Sequence, residues 1–410
     1  MFEVPLIIRG EIIEDYSLEF GGRKGDVRFT TPDVNKYLDK LIDCELESMG
    51  AYQQVKVEEI ASFLDELGRK LDLDHDVYLR QAFELSCHTS GISAPILESL
   101  YRNTGKKLFS RDYILEYAEK TIGIKYLEGW VPREMKDGTV SSIRAFGGRA
   151  VHVIAGNTPG VAFNTVMRSA VTHSDSIVKT PSNDPLTFTA ILRAMIDLDR
   201  DHPVTRHLSG AYWKGGDENF EARLYRPDHI EKIVAWGGFD SIKHITKYLQ
   251  PGLDLITLDP KHSASVIGKA ALKDEATMQQ VAKRAACDMG AFNQELCANA
   301  RVIYVECDYD DAEQLAKLNR FGEYVYQALQ TLPDHLSTSA KYVSPTLKEE
   351  LDGLFMLEDW FKLYRDNDFD GAVIVSQNDE PVSFASELAC RTSNLVPLKT
   401  LDQIVQRINS

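Results

Sequence analysis

Apolar side chains recur at three- and four-residue spacing through the first part of the chain, up to about residue 130. The spacing is clear over residues 33–49 and 55–71, and it continues over residues 112–123, which end on Gly123. This period keeps the apolar side chains on one face of an α-helix, and a glycine commonly follows the last helical turn. The pattern predicts that residues 1–130 are mostly helical.

The pattern changes after residue 139, where β-type residues flank Gly147 and Gly148 and predict two β segments about a turn. From residue 150 to residue 262, short apolar runs alternate with amphipathic segments. Strand–helix alternation at this spacing predicts a parallel, doubly wound sheet, which binds ligands beyond the carboxyl ends of its strands. The glycine-bearing loops at residues 155–160 and 235–238 fall at such ends.

A second alternating unit starts near residue 264. Residues 275–290 and 310–329 have helical patterns, and residues 301–306 form an apolar run between them. Later apolar runs and an amphipathic end predict further strands and a closing helix. We therefore predict an α/β protein with two domains, residues 1–262 and residues 263–410.

Composition and charge narrow the classes of function. The 410 residues hold 46 Lys+Arg and 62 Asp+Glu, a net charge of −16, which disfavours binding to nucleic acids and anionic membranes. Six cysteines without a CxxC pair indicate reduced thiols in a cytoplasm. No apolar run approaches the length of a membrane span, and the first residues lack the basic stretch of a signal peptide.

Cys297 is the sharpest chemical signal. A cysteine taken at random is more often inert packing, but Cys297 lies in a polar connection between a predicted helix and a predicted strand. Thiolate nucleophiles occupy such partly exposed places. The other five cysteines are interpreted as structural: Cys44, Cys87, Cys287, Cys307, Cys390. The sequence contains no zinc-ligand spacing, Walker motif or GxGxxG motif.

Asn157, Lys179, Gly237 and Gly238 could each serve catalysis or cofactor binding, although a purely structural role is commoner for each. Asn157, after a predicted strand, can donate to an oxyanion, although a turn Asn before a helix is the commoner case. Lys179 can contact a ribose or phosphate, although most such lysines are simply solvated. Gly237 and Gly238 are compatible with close approach to a pyrophosphate, and any strand-to-helix turn can also use them.

In order and separation, these segments resemble the aldehyde dehydrogenase superfamily. FNQELC (292–297) resembles its nucleophile segment, VIAGNTPG its oxyanion loop, VKTPSNDPLT its Lys-Pro-Ser-Glu segment and AWGGFDSIKHI its pyrophosphate loop. Within the superfamily, PLIIRGEII, AGNTPGVAFNTVMRSAV and DHPVTRHLSGAYW are similar to the long-chain acyl reductases of bacterial luminescence (LuxC). The resemblance implies a Rossmann-type cofactor domain, a catalytic thiolate domain and a bridging β segment at residues 136–150.

The same resemblance implies an activity and roles for single residues. The family reduces a long-chain acyl thioester to a fatty aldehyde with NADPH, through an acyl group on the nucleophilic cysteine. By this resemblance Cys297 is the nucleophile and Asn157 the oxyanion donor, and the cofactor-binding residues are these: Lys179, Thr180, Ser182, Gly237, Gly238. Glu387 lies a residue or two from the place of a later family glutamate.

Two departures from the superfamily pattern inform the chemistry. Thr257 stands where oxidising members keep a general-base glutamate, and a reductase is better without that base because hydrolysis would waste the acyl-enzyme. Ser182 stands where NAD-specific members carry a glutamate, and with Lys179 nearby this favours NADPH over NADH.

Partners and alternatives follow from the resemblance as well. It implies an acyl-protein synthetase as partner and a homo-oligomer joined partly through residues 136–150. The chain ends at LDQIVQRINS, so we expect it to lack the family's C-terminal end, either as a short relative or as a truncated chain. Three alternatives stay open: a relative acting on a short acyl-CoA or acyl phosphate, a non-catalytic subunit with the same fold, and a cysteine acyltransferase or thioesterase.

Overall fold

Short buried strands and amphipathic helices alternate along the computed structural model, which describes residues 1–22, 25, 27–43, 45–259 and 261–409. The strands are β1 (Phe2–Glu3), β2 (Leu6–Ile8), β3 (Glu11–Ile13), β4 (Leu18–Gly21), β5 (Arg28–Thr31), β6 (Val131–Glu134), β7 (Val140–Ile143), β8 (Arg149–Val153), β9 (Asp175–Lys179), β10 (Leu208–Ala211), β11 (Lys232–Trp236), β12 (Asp254–Leu258), β13 (Ser263–Ile267), β14 (Ala300–Glu306), β15 (Phe361–Tyr364), β16 (Ala372–Ser376) and β17 (Thr392–Leu398).

The α-helices are α1 (Leu38–Ile42), α2 (Leu46–Tyr52), α3 (Val57–Lys70), α4 (Val77–Thr89), α5 (Ala94–Leu108), α6 (Arg111–Thr121), α7 (Ile124–Glu128), α8 (Gly160–Val171), α9 (Thr187–Asp199), α10 (Pro203–Arg206), α11 (Glu218–Leu224), α12 (Phe239–Thr246), α13 (Glu275–Gly290), α14 (Ala312–Gln330), α15 (Pro345–Gly353) and α16 (Leu401–Asn409). Short 3-10 helices cover Val34–Tyr37, Lys269–Leu272, Ala291–Gln294, Leu354–Met356 and Ala385–Glu387. Among the helices of the described ranges, none combines the length and the hydropathy that a membrane span needs.

Aspartates set the first turns of several helices. The side chain of Asp76 accepts from the backbone N–H groups of Tyr78 and Leu79 at the start of α4. Asp311 likewise accepts from two N–H groups at the start of α14, and Asp274 accepts from the N–H of Thr277 at the start of α13. These caps satisfy N–H groups that have no partner inside the helix.

The chain forms two compact units: Met1–Ser90 with Leu100–Pro260, and Gly91–Ser99 with Lys261–Ser410. The sequence had placed residues 91–99 in the first domain, whereas the structure assigns them to the second unit.

The first unit is built on a seven-stranded sheet of order β12-β11-β8-β9-β10-β2-β3. The strands from β12 to β10 are all parallel. The chain runs from β8 outward to β9 and β10, and then returns to the other side of β8 for β11 and β12. The predicted doubly wound sheet is confirmed, and its switch point lies between the carboxyl ends of β8 and β11.

The N-terminal residues depart from the helical prediction. Residues 2–31 form β1 to β5, so the prediction of a mostly helical segment is wrong for this stretch. β2 and β3 form a hairpin that adds two antiparallel strands to the main sheet beside β10. Its turn is Arg9–Gly10, with φ values of 45° and 87°, as a two-residue hairpin turn requires. The predicted helix over residues 33–49 is also divided into a 3-10 turn and two short helices.

The segment around Gly147 and Gly148 does not form a hairpin. β7 pairs with β6 in a separate two-stranded sheet, and β8 joins the main sheet instead. A Cβ on Gly147 would lie 2.0 Å from the carbonyl oxygen of Thr172. The glycine therefore serves a close approach between backbones. The two predicted β segments are present as β7 and β8, but they belong to different sheets and do not pair across the two glycines.

The second unit is built on a five-stranded sheet of order β13-β14-β17-β16-β15, in which only β15 runs antiparallel to its neighbour. α13 and α14 supply buried side chains to the core on one face, including Met289 and Phe321. The predicted helices and strands of this unit are present.

Candidate active site

The loop after β8 places Asn157 at the carboxyl edge of the parallel sheet. β8 ends at Val153 and α8 begins at Gly160, and the Asn157 side chain between them is exposed. Asn183 holds this loop, because its Nδ2 donates to the carbonyl oxygen of Gly156 at 2.7 Å. A Cβ on Gly156 would lie 2.4 Å from Oδ1 of Asn183. The loop is therefore clamped one residue before Asn157.

Asn183 is itself anchored in a buried polar network. Thr89 donates through Oγ1 to the carbonyl oxygen of Asn183 at 2.6 Å. The neighbouring Asp184 is buried and accepts from the backbone N–H and the hydroxyl of Thr187, at 3.2 and 2.6 Å. Burial raises the pKa of Asp184 to about 6, against the hydrogen bonds, which lower it.

Lys179, the last residue of β9, holds a half-buried ammonium group among aromatic rings. Its Nζ lies 5.6 Å from the ring centroid of Tyr212 and 5.7 Å from that of Trp213. Burial lowers the pKa of Lys179 to about 8, and the nearby Glu221 carboxylate opposes that shift. Such an ammonium is poorly hydrated, which strengthens its attraction for an anionic ligand.

Thr180 and Ser182 follow Lys179 and differ in setting. Thr180 is buried, and both its N–H and its hydroxyl donate to the carbonyl oxygen of Ala211, at 2.9 and 3.4 Å. Its hydroxyl thus serves the sheet in this structure. Ser182 is half-buried on the turn that follows.

The first unit also contains a cavity of about 320 Å³. Tyr212 and Trp213, the two rings near Lys179, form part of its wall. The remaining lining residues come from β4, the first 3-10 helix and the loop after β10: Leu18, Phe20, Asp33, Val34, Asn35, Lys214, Gly215, Gly216, Asp217.

Gly237 and Gly238 follow β11 on the other side of the switch point. Gly238 is the N-cap of α12, and a Cβ placed on it would meet nothing within 4 Å. The exposed N–H groups of a helix start favour a negatively charged group. The open space at Gly238 and the ammonium of Lys179 together fit a dinucleotide cofactor, whose pyrophosphate and ribose need such partners.

Cys297 belongs to the second unit and is exposed on the turn between Gln294 and β14. The three residues Phe292, Asn293 and Gln294 have φ values of 53°, 56° and 64°, in the left-handed region. Each such non-glycine residue costs of order 1 kcal/mol and persists only where its surroundings hold it.

Buried amide side chains hold this segment. Asn293 pairs with Thr338, accepting from its backbone N–H at 2.8 Å and donating to its hydroxyl at 3.1 Å. Gln294 pairs with the backbone of Thr392, donating to its carbonyl oxygen at 2.8 Å and accepting from its N–H at 2.9 Å. Both amides are almost fully buried. The backbone before Cys297 is therefore fixed from two sides.

Two further side chains hold the turn itself. Asn299 accepts from the N–H of Leu296 at 3.0 Å and donates to the carbonyl oxygen of Ala291 at 2.9 Å. Ser263, the first residue of β13, donates through Oγ to the carbonyl oxygen of Cys297 at 2.7 Å. Cys297 thus presents an accessible thiol from a backbone with little freedom to move, as a nucleophile requires.

The sequence indicated Cys297 but missed the residues that hold it. Asn293 and Gln294 stand in the FNQELC segment, and the signal was the pair of amide residues just before the cysteine. Asn299 and Ser263 gave no local signal, because their partners are defined only by the fold.

The other predicted positions lie as follows. Thr257 is half-buried near the end of β12 and donates to Asp259 at 2.9 Å, and Pro260 of the same segment lies outside the described residues. Glu387 is exposed in the last 3-10 helix. Cys307 is buried, which raises the pKa of its thiol to about 11. Cys44 lies outside the described residues.

The remaining described cysteines are Cys87, Cys287 and Cys390. All three are half-buried, and none of the cysteines in the described ranges forms a disulfide. Burial raises the pKa of Cys287 and of Cys390. In the part of the chain that the structure describes, no group of His, Cys, Asp or Glu is arranged to hold a metal ion.

Comparison with protein families gives one match over most of the chain. The model of the acyl-CoA reductase (LuxC) family matches residues 52–410. Similar curated proteins are long-chain acyl-protein thioester reductases. That of Photorhabdus luminescens is 30% identical over 230 residues, 55% of this chain and 45% of that protein. That of Vibrio harveyi is 25% identical over 339 residues, 81% of this chain and 67% of that protein. The chain thus spans about half the length of the first relatives that it matches.

Solved structures share the fold at low identity. The NADP-dependent glyceraldehyde-3-phosphate dehydrogenase of Bacillus halodurans, complexed with NADP, has a TM-score of 0.69 at 12% identity, over 99% of this chain and 83% of that one. An aldehyde dehydrogenase of Mycobacterium tuberculosis, complexed with NAD+, has a TM-score of 0.68 at 15% identity, over 100% of this chain and 84% of that one. The predicted aldehyde-dehydrogenase-like fold is confirmed.

Proposed function

This chain belongs to the acyl-CoA reductase (LuxC) family, and from that premise we propose that it reduces a long-chain acyl thioester to a fatty aldehyde with NADPH. The observation that carries the proposal is Cys297, an exposed thiol on a turn that buried amides hold in place. Covalent catalysis needs a nucleophile that is both accessible and fixed. The relatives named above are reductases of acyl-protein thioesters, which is the same reaction class.

In the first step Cys297 takes over the acyl group. Its thiolate attacks the acyl carbonyl carbon, a new C–S bond forms, and the bond to the donor's thiol breaks. The proton of the Cys297 thiol ends on the departing thiolate of the donor. The Asn157 side chain is exposed on its clamped loop, and we assign it the donation of a hydrogen bond to the acyl oxygen while that oxygen is negatively charged.

In the second step the acyl group leaves Cys297 as an aldehyde. A bound dihydronicotinamide supplies the hydride that the acyl carbon gains. Cys297 then departs as a thiolate, and the C–S bond breaks as the aldehyde C=O forms. Thr257 stands where a hydrolytic relative would need a carboxylate, and its hydroxyl is engaged with Asp259. The side chain at position 257 is a hydroxyl and not a carboxylate, so this position supplies no general base to activate water against the thioester.

The cofactor-binding role falls to the carboxyl edge of the seven-stranded sheet. Gly237 and Gly238 lead into the start of α12, which suits a pyrophosphate. Lys179 offers its ammonium to the ribose or to a phosphate on it. Ser182 carries no charge that would repel a 2′-phosphate, which supports NADPH over NADH. Thr180 shapes the end of the sheet through its bonds to Ala211.

The acyl donor and the assembly are part of the same proposal. Because the named relatives use acyl-protein thioesters, we propose an acyl-protein synthetase as the partner that delivers the chain. For self-association, the β6–β7 hairpin offers exposed apolar residues, among them Val140 and Met135. The mass of the purified protein by light scattering tests the oligomer, and a monomer would refute it.

The experiment is to incubate the protein with radiolabelled acyl-CoA of about 4 to 18 carbons and with a matching acyl-protein. Each CH₂ group that the protein buries stabilises binding of the chain by about 0.8 kcal/mol, so a site for long chains should discriminate strongly over this range. We expect label on the Cys297 peptide, strongest with long chains, and aldehyde once NADPH is added. Cys297→Ala should neither retain label nor form aldehyde. Aldehyde formation by Cys297→Ala would refute the nucleophile, and release of free acid in place of aldehyde would favour a thioesterase. Absence of both label and cofactor binding in the wild type would favour a non-catalytic subunit.

A further inference from the structure

Glu221 is a buried carboxylate that the proposed reaction does not use. It lies on α11, and its side chain is 3% exposed. Burying a charge is costly unless good partners surround it. A buried carboxylate of this kind therefore depends on the groups that surround it.

The partners of Glu221 come from two places that carry candidate cofactor groups. On one side, Nε1 of Trp213 donates to Oε1 at 3.2 Å. On the other side, Nε2 of His244 lies 2.6 Å from Oε2, and the hydroxyl of Tyr248 donates to the same oxygen at 3.1 Å. Trp213 follows β10, whereas His244 lies on α12, the helix that starts after Gly237 and Gly238.

Trp213 connects Glu221 with Lys179. In the sheet, Lys179 is the register partner of Ala211, two residues before Trp213. The Trp213 ring lies beside the Lys179 ammonium, with 5.7 Å between Nζ and the ring centroid. Among the described ion pairs none includes Lys179, and Glu221 is the charged group that favours its protonated form. Glu221 is therefore the carboxylate that compensates for the burial of this ammonium.

We propose that Glu221 is a positioning residue for the cofactor, which orients the Trp213 ring beside Lys179 and ties helix α12 to helix α11. The inference rests on the proposed function, because it assumes that Lys179 and the start of α12 bind the cofactor. Through Trp213, Glu221 positions the Lys179 ammonium that is proposed to bind the ribose or its phosphate. Through His244 and Tyr248, Glu221 positions helix α12, whose start is proposed to bind the pyrophosphate.

The charge of Lys179 depends on few groups. The rings of Tyr212 and Trp213 face it from the loop after β10, and Glu221 faces it from α11. Glu221 in turn is faced by Lys179, His244 and the hydroxyl groups of Tyr225 and Tyr248. Removing the negative charge of Glu221 should lower the pH at which Lys179 loses its proton.

The test compares NADPH binding by fluorescence titration from pH 6 to pH 10 in three variants. Glu221→Gln keeps the shape and removes the charge, and we expect Kd at pH 7.5 to rise about tenfold, with the alkaline loss of affinity moved about one pH unit lower. Glu221→Asp should restore part of the affinity. Glu218→Gln is the matched control, because Glu218 lies on the same helix, is 71% exposed and pairs with Lys247.

A second variant and a separate readout keep the outcomes distinct. Trp213→Phe replaces the indole with a smaller aromatic ring that has no N–H donor for Glu221, so it should weaken NADPH binding, and it tests the inference independently if Glu221→Gln fails to fold. Acylation of Cys297 without cofactor should stay unchanged in all of these variants. If Glu221→Gln and Trp213→Phe both bind NADPH as the wild type does, the inference is wrong. If the wild type binds no nicotinamide cofactor, or if Lys179→Met binds it equally well, the proposed cofactor site itself is wrong.

Discussion

Gln294 pairs with Thr392 as a neighbouring β-strand would. Its amide donates to the carbonyl oxygen of Thr392 at 2.8 Å and accepts from the N–H of the same residue at 2.9 Å. Thr392 begins β17, and the two residues are 98 positions apart in the chain. The start of a buried strand and the backbone before Cys297 are therefore joined by one side chain.

Replacing Gln294 with Ala should destabilise the protein and impair the nucleophile. Two buried backbone groups of Thr392 lose their partner, which costs about 3 kcal/mol. We expect urea unfolding at a correspondingly lower denaturant concentration and slower acylation of Cys297. Gln327→Ala is the control, because Gln327 is exposed and bonds only Glu323 among the contacts that the structure describes. Wild-type stability and acylation in Gln294→Ala would show that the pairing is not needed.

Ser263 should affect the chemistry of Cys297 without affecting the cofactor. Ser263→Ala removes the bond to the Cys297 carbonyl oxygen, which is worth about 1 kcal/mol, and so slows acylation by about fivefold. The measurement is the rate of acyl transfer in a stopped reaction, with Kd for NADPH unchanged. Ser265→Ala on the same strand is the control, since Ser265 bonds Asp288 instead. Equal acylation rates in the two variants would contradict the role of Ser263.

The lowered pKa of Lys179 should make the affinity for the cofactor depend on pH. Its ammonium is charged below its pKa of about 8 and neutral above it. An anionic cofactor should therefore bind with constant affinity at lower pH and progressively more weakly as the pH rises through 8. In Lys179→Met the affinity should be low at every pH and this step should vanish. Lys232→Met removes a lysine at the start of β11, which pairs with Asp254, and should keep the wild-type profile. A step of the same size in Lys179→Met would assign it to another group.

The raised pKa of Asp184 should make the free energy of unfolding depend on pH. Its pKa is 3.8 in the unfolded chain and about 6 in the fold. Between these values the folded state holds a proton that the unfolded state has lost, so this group's contribution falls as the pH rises from 4 to 6. The loss is about 3 kcal/mol and is complete above that window. Asp184→Asn should gain stability over the wild type between pH 4 and pH 7 in chemical denaturation. Parallel curves for the two proteins would contradict this.

The parallel sheets were predictable because each strand is a short apolar run followed by an amphipathic helix. β2 and β3 were not, since strands of three residues are too short to show a period. The role of Gly147 could not be predicted from the neighbouring residues. A glycine is required there because the backbone of Thr172 approaches closely, and Thr172 is distant in the sequence and so leaves no local pattern.

In the candidate site, too, some residues could be predicted from the local sequence and others could not. Cys297 was predicted from its polar connection, and Lys179 and Gly238 from their places after strands. The clamp on Cys297 was not predicted, because it depends on partners such as Thr338 and on the left-handed backbone of Phe292 to Gln294. The roles of all these residues stay predictions. For Asn157 as oxyanion donor and for Glu387, the variants Asn157→Ala and Glu387→Gln test them by the rate of aldehyde formation.

A single turnover of the isolated acyl-enzyme tests the proposed reaction through Cys297 most directly. The protein is acylated with a labelled long-chain donor, freed of excess donor and mixed with NADPH, and the label on Cys297, the absorbance of NADPH and the aldehyde are followed together. We expect that each acyl group leaving Cys297 consumes one NADPH and appears as aldehyde, while acyl-enzyme without NADPH keeps its label. Loss of the label as free fatty acid, or aldehyde formation without prior label on Cys297, would contradict the proposed reaction.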